Sequence, residues 1–195
     1  MGGFLSPLIL CIYMNIIVNN LSERIELCRQ ILVTHYYEKY ITDDEFKKDT
    51  RDQYYHCVYY SGLKNSGYVS NDVFKNEGSS TDDHYLSPRL MISAIIENHT
   101  QTLFDKDAFS EYFELCREVV KVTKNQNNAV KFANKDNKIL INELTINKYD
   151  KFSPWWEIDT LGNKKKVMSH HKEFPLKHKI PEWFTEHEKK FLIKG

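Results

Sequence analysis

The chain of 195 residues lacks several signals that would place it at once. Its four cysteines, Cys11, Cys28, Cys57 and Cys116, form no Cys-x-x-Cys pair, which counts against a zinc ribbon. Widely spread in a chain able to bury a core, they read as reduced, mostly buried thiols of a cytoplasmic protein. The even count leaves disulfide pairing open as the lesser alternative. Net charge is also missing: 27 basic side chains balance 27 acidic ones. A nucleic-acid partner must therefore be read from a local cluster, not from the overall field. No apolar run reaches the ~20 residues of a membrane span. "FLSPLILCIYMNIIV" is broken by Ser6, Pro7 and Asn15, with no Lys or Arg before it and no small-residue cleavage site after it. A helix packed on the core is expected there. A weak membrane anchor is the lesser reading, and Met14 is an alternative start. No internal repeat or long low-complexity segment occurs.

What is present is a mixed α+β pattern, mainly helical. Hydrophobic residues make up 41% of the chain, enough for a real core. Ser22 and Thr42 are placed to cap two helices, so residues 22 to 54 read as a helical hairpin. "YYHCVYYSG" and "YVSNDVF" read as strands, separated by a turn. "KNEGSS" reads as a loop. "RLMISAIIEN" and the segment after Asp105, with Phe109, Tyr112, Phe113 and Cys116 as its stripe, read as helices. "VVKVTK" is a short β-branched run, "NQNNAVKFANKD" reads as helix, and "KILINELTIN" fits either period. A last helix is expected near Pro181. Three regions follow: a helical region over 1–54, a core over 55–150, and an aromatic and basic extension over 151–195.

The chemistry is concentrated in "STDDHYLSPR" (80–89). A carboxylate beside an imidazole can hold a divalent cation next to a general base. Neighbouring side chains on a strand point to opposite faces, so Asp83 and His84 share a site only at a strand end or kink. The loop upstream and Pro88 downstream make such a break expected. A solvated turn is the plain alternative for any such tripeptide. Arg89 can grip a phosphate bidentately or pair with a nearby acid. Asp82 is a supporting or solvated residue.

"YYSGLKNSGYVSNDVFKNEGSSTDDHYLSPR" followed by "VVKVTKNQNNAVKF" resembles the HNH (His-Me finger, ββα-metal) endonucleases, especially compact phage-encoded forms. The resemblance rests on the Asp-His pair with its "LSPR" continuation and on "VTKNQN". It spans about residues 58 to 135. It implies a small ββα-metal finger core, with His84 as general base and Asp83 as a ligand to Mg²⁺ or Mn²⁺. It implies Asn127 as the asparagine that orients the histidine; a helix N-terminal residue is the alternative. A second metal ligand is implied in the following helix, where Asn134, Asp136 and Asn137 are the candidates. The chain departs from the family in lacking a final histidine there. It also carries a long helical insertion between the histidine and the "VTK" strand.

Lys164, Lys165 and Lys166 open a basic tail that continues through His170, His171, Lys172, Lys177, His178 and Lys179. Such a run can follow a phosphate backbone, or lie as a solvated face. Trp155 and Trp156 can stack on bases or fill a core. The expected activity is metal-dependent hydrolysis of DNA in the cytoplasm (a host cytoplasm for a phage protein), with no membrane partner and a homodimer left open. The alternative is a non-enzymatic phage-type regulator or inhibitor that binds a host protein. A nuclease of the PD-(D/E)xK type is disfavoured, because Glu143-Leu144-Thr145 lacks the lysine that pattern needs.

Overall fold

The computed structural model describes residues 18, 20–129, 152, 154–167 and 180–192. The fold is α+β and mainly helical, with one mixed five-stranded sheet. The chain divides into two compact units: residues 1–63 with 88–117, and residues 64–87 with 118–195. The second unit is thus interrupted by the expected helical insertion. Among the described residues, no helix is long and apolar enough to cross a membrane.

The first unit is all helical. Helix α1 (Leu21–Ile31) is capped by Asn20, whose Oδ1 accepts from the Ser22 N–H at 2.9 Å. Ser22 is therefore not the cap that its identity suggested. A π turn over Leu32–Tyr36 leads into α2 (Tyr37–Thr42). Helix α3 (Asp44–Tyr60) is capped by Asp43, which accepts from the Glu45 N–H. Thr42 instead turns its hydroxyl back to the Glu38 and Lys39 carbonyls as the last residue of α2.

The aromatic run "YYHCVYY" belongs to α3 and is not a strand. Its burial explains why. Thr50, Gln53, Tyr54, Cys57 and Val58 are buried at helical spacing, while Tyr59 and Tyr60 lie exposed. Tyr54 meets Phe109 and Phe113 edge-on at ring separations of 5.9 and 5.7 Å. Those two rings come from α7 (Lys106–Arg117), whose start Asp105 caps as expected, accepting from the Asp107 and Ala108 N–H groups at 3.0 Å. Between them run α5 (Pro88–Asn98), buried along most of its length, and the short α6 (Gln101–Phe104). Cys28, Cys57 and Cys116 are buried thiols of this unit, outside any disulfide, as expected of reduced cysteines. Burial pushes the Cys116 thiol up, so it stays protonated and unreactive.

The second unit is built on the sheet. Strand β1 (Lys64–Ser70) is followed by the short α4 (Asn71–Phe74) and by β2 (Ser80–His84). After the insertion come β3 (Glu118–Thr123), α8 (Lys124–Ala129), β4 (Trp155–Ile158), β5 (Lys164–Val167) and α9 (Glu182–Leu192). The strand order is β2-β3-β1-β4-β5, with β1 and β3 parallel and every other pair antiparallel. Between Asn65 and Val69, β1 bulges against β3, and Gly67 takes φ 83° there. A Cβ on Gly67 would meet the Ile158 carbonyl oxygen at 2.9 Å, so only glycine fits.

One sheet face is apolar. Val120 and Val122 of β3, Trp155 of β4 and Val167 of β5 form its buried cluster together with Tyr85. Tyr68, Phe152 and Ile180 pack against it. The period-two alternation sends the intervening residues, among them Val69, Lys121, Trp156 and Lys166, to the other face.

Candidate functional site

Two antiparallel strands followed by a helix, β2-β3-α8, carry the residues singled out by the Asp-His and "VTKNQN" motifs. The pairing of β2 with β3 runs without a break from Ser80↔Thr123 to His84↔Val119. It extends one step further, where the Tyr85 N–H donates to the Glu118 carbonyl at 3.1 Å. Asp83 is opposite Val120 and belongs to the apolar face; His84 is opposite Val119 and shares the other face with Asp82. The chain therefore does not kink between Asp83 and His84. His84 is instead the last residue of β2, and β2 is an outer strand of the sheet. Both residues are half-buried. Asp82 is exposed and pairs with Lys121 at 3.8 Å.

Helix α8 starts where β3 ends, and a capping box fixes that start. Thr123 Oγ1 accepts from the Gln126 N–H at 3.1 Å, and Gln126 Oε1 accepts from the Thr123 N–H at 2.9 Å. The buried Gln126 does more than cap. Its Oε1 also accepts from Ser70 Oγ at 2.7 Å, and its Nε2 donates to Asp72 Oδ2 at 2.9 Å. The start of α8 is thereby tied to the end of β1 and to α4, while α8 packs on β2 and β3. Thr-x-x-Gln ahead of a helix is the sequence signature of this capping box.

Asn127 follows in the first turn. It is half-buried, and its Oδ1 is buried with no hydrogen-bond partner among the described residues. A buried amide oxygen left unmatched costs about 1–3 kcal/mol unless something else fills it. A helix-terminal asparagine serving the local backbone would not be left so.

The remaining candidates separate. Asn134, Asp136 and Asn137 lie outside the described residues. Arg89 sits in the helical unit, where Nε donates to Asp52 Oδ1 at 2.9 Å and the guanidinium lies 4.6 Å from the Tyr55 ring centre. It is engaged there with an acid and a ring, not held free for a phosphate. Trp155 is fully buried in the apolar cluster, so its ring cannot stack on a base. Trp156 is half-buried, stacked on Phe74 at 4.1 Å, and its Nε1 donates to Asn71 Oδ1 at 3.3 Å. Lys164, Lys165 and Lys166 are exposed on β5, the opposite outer strand.

Among the described residues, no cluster of three His, Cys, Asp or Glu side chains could hold a metal. Of the metal ligands the resemblance implies, only Asp83 lies among the described residues, and its carboxylate is a hard-oxygen donor. Such a donor suits Mg²⁺, which keeps several waters and takes one or two carboxylates plus substrate phosphate oxygens. Comparison of the chain with protein-family models, with curated proteins and with solved structures finds no match.

Proposed function

We propose that the protein is a metal-dependent endonuclease of the HNH type, acting on DNA in the cytoplasm. The observation that carries the reading is the buried, unmatched Asn127 Oδ1 on a helix packed against the strand that bears Asp83 and His84. The antiparallel pairing of β2 with β3, the helix α8 that follows β3 and packs on both, and the Asp83 carboxylate support it as well. His84 takes the proton from the attacking water. Asp83 supplies an oxygen ligand, and Asn127 is the asparagine that orients the His84 imidazole. Asp83 and His84 alternate at the end of a strand whose other edge no described strand pairs. A bound Mg²⁺ supplies charge neutralisation at the phosphate and stabilises the leaving oxygen.

Mn²⁺ titration followed by electron paramagnetic resonance tests the ligand assignment. Wild type should remove free Mn²⁺ at one site per chain, and Asp83→Ala should weaken that binding at least tenfold. Equal binding by the two proteins would remove the metal site from Asp83.

A second reading, a regulator that docks on a host protein, has its own observation. On α3, Tyr55 stacks on Tyr59 and His56 on Tyr60, and Tyr59 and Tyr60 are 47% and 38% exposed. Aromatic surfaces of this kind are enriched at interfaces. A stoichiometric host partner, released by Tyr59→Ser with Tyr60→Ser and indifferent to metal, would favour it.

A further inference from the structure

The three lysines of β5 are not equivalent, and the sheet register sorts them. Val167 pairs with Trp155 and is buried with it, which fixes the apolar side of the strand. Lys165 pairs with Glu157 on that same side, and their charged ends stand 3.9 Å apart. Lys166 pairs with Trp156, and Lys164 with Ile158, on the other side. Lys164 Nζ lies 5.1 Å from the Phe74 ring centre, beside the ring that stacks on Trp156. Among the described residues, neither Lys164 nor Lys166 has an acidic partner within ion-pair distance.

On this second face one row crosses all five strands in register: Lys166, Trp156, Val69, Lys121 and Asp82. His84 is on the same face, two residues beyond Asp82. Four strand spacings of ~4.8 Å put Lys166 about 19 Å from Asp82, and His84 lies about 7 Å further along β2. That is about six steps of a duplex backbone at 3.4 Å each. The middle of the row is occupied: Phe74 covers the Trp156 ring, and Asn71 takes its N–H. Trp156 is thus engaged with the protein, and among the described residues Lys164 and Lys166 are the side chains left to meet a ligand at the β5 end.

We infer that Lys164 and Lys166 anchor a nucleic-acid phosphate backbone on this sheet face, about 20 Å from His84, without reading base sequence. The inference rests on the nuclease reading only for the choice of nucleic acid as the polyanion. It divides the basic run. Lys164 and Lys166 bind, Lys165 does not, and neither tryptophan stacks on a base.

Fluorescence anisotropy of labelled, scrambled-sequence DNA, single-stranded and duplex, tests this in EDTA with His84→Ala protein, so that cleavage cannot intervene. Lys164→Gln with Lys166→Gln should flatten the plot of log affinity against log salt. The expected change is about 1.8 for duplex, or about 1.4 for a single strand. Lys165→Gln should leave the slope unchanged, and affinity should not depend on sequence. The inference is overturned if Lys165→Gln flattens the slope equally, if the double variant keeps the wild-type slope, or if no nucleic acid binds. Size-exclusion chromatography adds an independent check. Lysines on an outer strand also deter strand-to-strand association, and aggregation of the double variant with an unchanged salt slope would assign them that role instead. Backbone binding without cleavage by the wild type would sink the nuclease reading and leave this inference standing.

Discussion

Replacing Gln126 by alanine should destabilise the sheet unit selectively, by about 3 kcal/mol. Three hydrogen bonds end on its side chain, from the Thr123 N–H, from Ser70 Oγ and to Asp72 Oδ2. Each contributes about 0.5–1.5 kcal/mol net, and a buried donor left without a partner, here the Thr123 N–H, adds to the cost. All three tryptophans, Trp155, Trp156 and Trp183, lie in the sheet unit, so selectively excited tryptophan fluorescence reports that unit. At an m-value of about 2 kcal/mol/M the urea midpoint should fall by about 1.5 M. Gln126→Glu makes the reasoning sharper. It keeps the two acceptor contacts but sets a carboxylate against Asp72, where the amide N–H now stands 2.9 Å away. Two carboxylates so close raise one folded-state pKa above its unfolded value. Stability is then fullest at low pH and declines as pH rises through that raised pKa. The Glu variant should approach wild type near pH 4 and fall away from it above about pH 5. A fluorescence midpoint for Gln126→Ala within about 0.2 M of wild type, or a Glu variant with no pH dependence of its own, would refute the network.

Other outcomes follow from single contacts. Gly67→Ala should cost about 1–3 kcal/mol in the same fluorescence assay, because φ is 83° and the new Cβ would press on the Ile158 carbonyl. In the helical unit the Arg29 guanidinium donates twice to the Glu26 carboxylate and once to the Leu103 carbonyl, at 2.7–2.8 Å. The hydrogen bond from Arg29 holds the Glu26 carboxyl down at about 2. A depressed folded pKa gives stability that is present above the unfolded value, near 4.3, and lost as pH falls towards 2. Acid titration of helical circular dichroism should show less loss across that window in Glu26→Gln than in wild type. Arg89→Ala should lower helical-unit stability by about 1 kcal/mol through the lost Asp52 pair and Tyr55 ring contact, and leave DNA affinity unchanged. A steep loss of DNA affinity would restore Arg89 to phosphate binding.

The parts of the fold legible in the sequence are those governed by local periodicity. Phe109, Phe113 and Cys116 at helical spacing behind an Asp105 cap describe α7 without tertiary information. The aromatic run at 54–60 misled because tyrosine and valine favour strands, whereas helical burial of Tyr54, Cys57 and Val58 against α7 decides the outcome. At Thr42 and Ser22 the caps moved by one or two residues, to Asp43 and Asn20, because any short polar side chain nearby can compete for the same N–H groups. The β4–β5 hairpin went unread although Asp159 and Gly162 mark its turn. Asp159 accepts from Leu161 and Asn163, and Gly162 takes φ 82°. Strand order was out of reach, since the parallel β1–β3 pair joins segments separated by the whole insertion. In the site, the residue types around Asp83, His84 and Asn127 were readable. The alternation of Asp83 and His84 across a regular strand was not, because it depends on pairing with a strand that follows the insertion. The fate of the two tryptophans likewise turned on strand register alone, which buries Trp155 and leaves Trp156 to Phe74.

The central claim is that His84 activates water beside an oxygen-bound metal. Cleavage of supercoiled plasmid by purified protein tests it most directly, with Mg²⁺ or Mn²⁺, with EDTA, and with His84→Ala whose tryptophan fluorescence matches wild type. The account predicts cutting that EDTA abolishes and that His84→Ala reduces by about 10²–10⁴-fold. Absence of EDTA-sensitive cutting of any DNA or RNA form, or a His84→Ala protein that cuts as fast as wild type, would contradict it.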